Sequence, residues 1–275
     1  MSTATLTDES QAEGGQRPRS ALYEAVQPLL GAVDGLRTYV LLTLRTLIWV
    51  VRPPYRVIEL LKAMDFVGAQ SVFIVSLTGI FSGMVLALQT THTLRQFSAE
   101  GVVGSVVAIS LTRELSPVFA ALMVTARAGS AMAAELGNMR VTEQIDALTT
   151  MGVSPVQYLV TPRMLASILM QPLLCVLYSC VGMVGAWLIA VDMLNVDPGI
   201  FVANIEKYLT LNDFSMGLIK SAVFGFLIST ISCHQGFYAS GGARGVGIAT
   251  TRAVVQSAVV LLVANYLITN WLTVL

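Results

Sequence analysis

Hydrophobic and polar positions along the chain sort into five long apolar runs: Gly68–Gln89, Val102–Thr125, Leu165–Val191, Met216–Phe237 and Ala253–Leu272. Each meets the ~20 residues that a helix needs to cross the hydrocarbon of a bilayer, so the pattern predicts five transmembrane helices. Ahead of them, Ala21–Lys62 mixes Arg37, Arg45, Arg52, Arg56 and Lys62 with leucines and aromatics. Within that stretch Leu36–Val51 is short for a span, contains Arg37 and Arg45, and is ended by Pro53-Pro54. It is expected to lie in the membrane interface as an amphipathic helix, with a true span as the alternative. Residues 1–20 are polar and are expected to form a disordered tail. The predicted organisation is an all-α integral membrane protein, with a tail over 1–20, an interfacial amphipathic region over 21–65 and a five-span domain over 66–275.

Composition supports the membrane assignment. The 275 residues are 55% hydrophobic and 12% charged, with a mean hydropathy of +0.73, whereas soluble domains average roughly 25% charged residues. A soluble core this apolar would leave too few polar residues to cover its surface. Formal net charge is zero, which gives no footing for nucleic acid. Cys175, Cys180 and Cys233 lie in apolar runs and read as small buried hydrophobes, not as a disulfide framework or metal cluster. Met1–Arg19 lacks the apolar core of a cleavable signal.

The cationic residues then set an orientation. Arg17, Arg19, Arg37, Arg45, Arg52, Arg56 and Lys62 precede the first span; Arg127, Arg140 and Arg163 lie between spans two and three; Arg244 and Arg252 precede span five. The opposite side receives Arg95, Lys207 and Lys220. This asymmetry predicts a cytoplasmic N-terminus and an external C-terminus. The acidic segment Asp192–Asp213 becomes an external loop long enough for a short helix.

Arg113 and Glu114 are the exception inside span two. A charge near the bilayer centre costs roughly 3 kcal/mol or more, so it normally faces a cavity or a partner. Adjacent helical residues diverge by about 100°, so the two cannot pair well with each other. Each borders a shared cavity, or Arg113 meets Glu114 of a second copy, or the charges form a structural ion pair that registers helices. Pro117 frees the backbone carbonyl of Arg113 beside them. The small residues of "ARAGSAMAAELG" (126–137) predict close helix packing, as does the weaker "GIFSG" (79–83).

"VTEQIDALTTMG" (141–152) predicts a short loop helix: Thr142 as N-cap, Glu143 and Gln144 opening it, and Gly152 just past its end. Ile145, Leu148 and Met151 form an apolar edge, Glu143 and Asp146 a charged one. A cytoplasmic helix with two unlike faces suits docking on a soluble partner. The chain has no G-x-x-x-x-G-K-[ST] and so no P-loop ATPase site. "GGARGVGIATTR" (241–252) reads as a cytoplasmic turn into span five. His92 and His234 are isolated, no metal site or cofactor is expected, and no nucleophile–base set marks a catalytic centre.

"RELSPVFAALMVTARAGSAMAAELGNMRVTEQIDALTTMGVSPVQYLVTPR" (113–163) resembles the signature of MlaE-type permeases, the MCE-associated ABC transporter permeases of bacterial lipid trafficking. "FSGMVLALQ" (81–89), "KSAVFG" (220–225) and "GVGIATTRAVVQS" (245–257) continue the resemblance in order. It implies a homodimer of five-span subunits, each preceded by an interfacial elbow helix, in a bacterial inner membrane. It also implies a cytoplasmic ABC ATPase dimer, an MCE-domain protein on the periplasmic side and in some systems a STAS-domain protein. Carried over by position, a phospholipid cavity would be lined by Leu86, Leu94, Phe97, Arg113 and Glu114. Glu143, Gln144, Ile145, Asp146, Ala147 and Leu148 would form the coupling helix toward the ATPase. The expected function is a lipid-moving permease subunit without catalysis of its own. The rival reading is a secondary transporter with Glu114 as an intramembrane proton or ion site; a membrane scaffold without transport would leave the two charges unexplained.

Overall fold

The computed structural model describes residue 35, residues 37–49 and residues 56–274. The expected disordered tail, Pro53-Pro54 and Leu275 lie outside the described residues. The chain divides into two compact units, Met1–Leu41 and Leu42–Leu275. In the first, residues 37–41 are helical, and the Thr38 hydroxyl donates to the Gly35 carbonyl at 2.7 Å.

The second unit opens on helical residues 42–49 (α1) and continues with α2 (Val57–Val67), α3 (Val72–Arg95), α4 (Val103–Ser110), α5 (Ser116–Val124) and α6 (Ser130–Val141). A short α7 (Gln144–Thr150) follows, then α8 (Thr161–Trp187), α9 (Pro198–Tyr208), α10 (Leu211–Phe237) and α11 (Gly242–Val274). Every described element is helical. Five continuous helical stretches are long and apolar enough to cross a membrane: Val57–Arg95, Glu100–Val141, Val156–Met193, Leu211–Phe237 and Gly242–Leu272. They match the five predicted spans in order and number and run past most of their predicted ends. Span two continues through the small-residue stretch to Val141. Residues beyond Gly242, read as a turn, already belong to α11; Gly241 and Gly242 make the turn at φ +92° and +67°, a region glycine enters without the Cβ clash.

Small residues explain the packing. On α3, Gly83 lies directly on the backbone carbonyl of Gly182 in α8, where a Cβ would have no room, and Gly79 faces the Tyr178 backbone. "GIFSG" is therefore a true interhelical contact. On α6, Ala133 receives Gly236 of α10, and Gly137 faces Ala239 and Val246. These contacts bring backbones together where lipid offers no hydrophobic drive for association. The predicted short helix in Asp192–Asp213 is α9. Asp197 caps it by accepting from Ile200 N at 2.8 Å, and its buried Phe201 packs edge-on against Trp187. Cys175 and Cys233 are buried as expected, but Cys180 is exposed, because its position in α8 turns it off the packed face.

Candidate functional site

Span two carries its charge pair in a π-turn, Leu111–Leu115, inserted between α4 and α5. Ser116 N–H reaches back five residues to the Leu111 carbonyl. One such wide turn inside an α-helix is a recurrent device at functional sites. Pro117 has no N–H to offer the Arg113 carbonyl four residues earlier. The Lys220 ammonium donates to that carbonyl at 3.0 Å. It also donates to Glu114 Oε1 at 2.7 Å and to Thr269 Oγ1 at 2.8 Å, which engages all three of its N–H groups. From α11, Asn265 Nδ2 donates to Glu114 Oε2 at 3.3 Å, and Thr269 Oγ1 lies within 3.4 Å of both carboxylate oxygens.

Arg113 takes a different partner. Its guanidinium pairs with Asp213 in the first turn of α10. Asp213 is held there by a capping box: Oδ2 accepts from Thr210 N at 2.8 Å and Thr210 Oγ1 at 2.9 Å, while Asp213 N donates to Thr210 Oγ1 at 3.4 Å. Asp213 and Lys220 stand two helical turns apart on one face of α10, so that face answers both charges of span two. Within this chain, then, Arg113 meets Asp213 and Glu114 meets Lys220. Asp213 is not part of the external loop, because it caps the span. Lys220 does not lie in a loop, because it is buried in α10 against span two.

Burial is lopsided. The side chains of Lys220 and Asp213 are 2% and 3% exposed, those of Glu114 and Arg113 39% and 42%. The α10 partners are enclosed, and the span-two charges keep an open side. Of the other predicted lining residues, Leu86 and Leu94 on α3 are half-buried and pack against the main core, and Phe97, just past the end of α3, is exposed. Beyond the π-turn a second one, Thr125–Gly129, contains Arg127. Arg127 donates to the Phe66 carbonyl, to Gln70 Oε1 and, at 3.2 Å, to Ser71 Oγ, and lies over the Phe66 ring. It thereby ties span two to the bend at Gly68 in span one.

The loop helix begins later than expected. Thr142 is not its N-cap: α6 runs on to it, and its hydroxyl donates back to the Asn138 carbonyl at 2.8 Å. Glu143 then makes a left-handed turn at φ 60°, and α7 starts at Gln144. Gly152 follows the end of α7 at φ +75°, as expected of a C′ glycine. Ile145 is buried and Leu148 half-buried, anchoring the helix, while Glu143, Gln144, Asp146, Ala147 and Met151 are exposed. Asp146 pairs with Arg140 at 2.6 Å.

Sequence reasoning missed Lys220, Asp213, Asn265 and Thr269 as partners. A signal existed for Lys220, which lies inside the predicted span Met216–Phe237. Counting it with the outer loops hid that it needed an opposite charge within the membrane.

Five helices long and apolar enough to cross a membrane, with ion pairs between them, define a multi-pass, all-α integral membrane protein. The family model Permease MlaE matches residues 60–271. The chain belongs to the MlaE family of ABC transporter permeases. A probable ABC transporter permease protein of Rickettsia typhi is 44% identical over 223 residues, 81% of this chain and 86% of the relative. The intermembrane phospholipid transport system permease protein MlaE of Haemophilus influenzae is 38% identical over 211 residues, 76% of this chain and 81% of the relative. The chloroplastic protein trigalactosyldiacylglycerol 1 of Arabidopsis thaliana is 37% identical over 211 residues, 77% of this chain and 60% of the relative.

Proposed function

We propose that this permease moves phospholipid or a related lipid between a bacterial inner membrane and an MCE-protein pathway toward or from the outer membrane. The observation that carries the reading is the open side of Arg113 and Glu114. Two charged heads about two-fifths exposed within a span are costly against hydrocarbon. They suit a cavity that admits water or a lipid head group, with Leu86, Leu94 and Phe97 offered to the acyl chains. The cavity would be completed by a second copy of the chain. The phospholipid named in the Haemophilus influenzae relative supports the cargo class.

With no P-loop in the sequence, ATP hydrolysis would belong to a separate cytoplasmic ATPase dimer docked on Glu143–Leu148; the exposed rim of α7 around buried Ile145 supports that role. A STAS-domain protein would be a further cytoplasmic partner. An ion-coupled carrier built on Glu114 is less well supported, because Lys220 already holds that carboxylate. Mass spectrometry of lipid retained by the purified complex, with ATP-dependent transfer between labelled vesicles, tests the proposal. Retained phospholipid and transfer are expected; a complex free of lipid and inactive in transfer overturns it.

A further inference from the structure

We propose that Lys220 is a positioning residue: its ammonium stands in for the amide that Pro117 lacks, holds the π-turn of span two open, and so fixes where Arg113 and Glu114 point. The inference rests on the cavity reading above and concerns how that cavity keeps its polar wall in register.

A single π-turn adds one residue to the helix, so it rotates the faces on either side of it by about 100° relative to an unbroken α-helix. Whether Leu111–Leu115 is π or α therefore decides which way the two charges face relative to α4 and α5. Three features of the chain favour the wide turn together. Ser116 N–H has already gone to Leu111. Pro117 removes the donor that would close an α-turn on Arg113. Lys220 supplies a donor to that carbonyl from a neighbouring helix, at 3.0 Å.

The reach of Lys220 is built into the packing. Gly217, one turn before it on α10, lies on the Thr112 carbonyl so closely that a Cβ has no room. The α10 backbone thus rests against the π-turn itself, and the lysine stem runs along it to the carbonyl and to Glu114. The ammonium is 2% exposed and its remaining N–H groups go to Glu114 and Thr269. A switch to an α-turn would withdraw one of the three acceptors from a charge with no access to solvent, which is unfavourable. Lys220 thereby links three spans through one atom: the bulge of span two, its own helix α10, and α11 through Thr269.

The test is a double-mutant cycle on the permease purified with its ATPase, using Pro117→Ala, Lys220→Met and both together. Lys220→Met is expected to lower the melting temperature by about 5 °C and to remove most lipid transfer. Pro117→Ala returns an amide to the Arg113 carbonyl, so in that background Lys220→Met is expected to cost less than half that shift. The double variant is expected to recover part of the stability, since Glu114 still lacks its counter-charge, but none of the transfer, because its charges are turned away; a merely structural lysine would recover both in step. Lys220→Arg, which keeps donors for the carbonyl and the carboxylate, is expected to retain most of the transfer. Equal melting shifts for Lys220→Met in both backgrounds, or wild-type transfer in a stable Lys220→Met protein, overturn the proposal. If Lys220→Met does not assemble, Lys220→Gln takes its place in the same cycle. The melting cycle is read without cargo, so a wild-type complex that transfers no lipid overturns the proposed function and leaves the cycle to judge Lys220 by itself.

Discussion

At the scale of single residues, the two ion pairs of span two divide into an enclosed half and an open half, and that division sets what substitution does. Glu114→Gln keeps size and hydrogen bonding but leaves the Lys220 ammonium, 2% exposed, without its counter-charge. Breaking a fully buried pair costs about 3–5 kcal/mol. The open side of Glu114 lets solvent or a head group compensate, so a loss of roughly 2 kcal/mol is expected, together with loss of lipid transfer. Glu114→Leu combined with Lys220→Met removes both charges and should restore thermal stability while transfer stays lost. Recovery of wild-type transfer in that double variant would reduce the pair to a structural fastener. The cost of charge inside a span made it legible in the sequence that Arg113 and Glu114 need partners or a cavity. Their partners were not legible, since Asp213 and Lys220 lie some hundred positions away and only the register between α10 and the π-turn brings them close. Nor does local sequence announce a π-turn; Pro117 marked the freed carbonyl but not its new donor.

At the scale of elements, glycine positions separate contacts that tolerate a methyl group from those that do not. Gly83→Ala would push a Cβ into the Gly182 backbone, which cannot rotate away as a side chain can. Overpacking of this kind is expected to cost about 1–3 kcal/mol, read as a lower melting temperature of the purified permease. Gly247→Ala in α11 meets nothing within 4 Å and is expected to be neutral or to gain up to about 1 kcal/mol of helix propensity. A reversed ranking would mean that the α3–α8 contact is looser than the structure has it. The loop helix gives a second expectation. Glu143→Lys with Asp146→Lys reverses its exposed acidic edge and breaks the pair with Arg140, so pull-down of the ATPase should weaken while membrane insertion is unchanged. The helix itself was readable from its length and its flanking Gly152. Its start was not, because Thr142 satisfies the end of α6 with the same hydroxyl that an N-cap would have used.

At the scale of the whole molecule, the described residues hold five helices long and apolar enough to cross a membrane, an odd number that is expected to leave the two ends of the helical domain on opposite sides. From the excess of lysine and arginine before span one and between spans two and three, the N-terminal side is expected to face inward. A cysteine appended after Leu275 is expected to react with an impermeant maleimide in intact spheroplasts; labelling only after permeabilisation would reverse the orientation. Hydropathy alone sufficed for the number of spans, since twenty apolar residues admit few alternatives. Their true lengths were less legible: π-turns carry span two onward through Thr125–Gly129 and close span three at Leu188–Met193, and neither changes the hydropathy signal.

The contact between Gly83 and Gly182 has a mechanical meaning as well. Helices slide past one another by small readjustments of the side chains between them. Where one backbone rests on the other, with Gly79 and Gly185 extending the contact, there is no such lubricating layer. Spans one and three are therefore expected to travel as a single strut through a transport cycle. The stroke is then expected to fall to the remaining helices, above all α11, whose face from Val255 to Trp271 carries large exposed side chains and whose grip on the polar site is Asn265 and Thr269. A permease arranged this way is expected to open by swinging one wall against a fixed post.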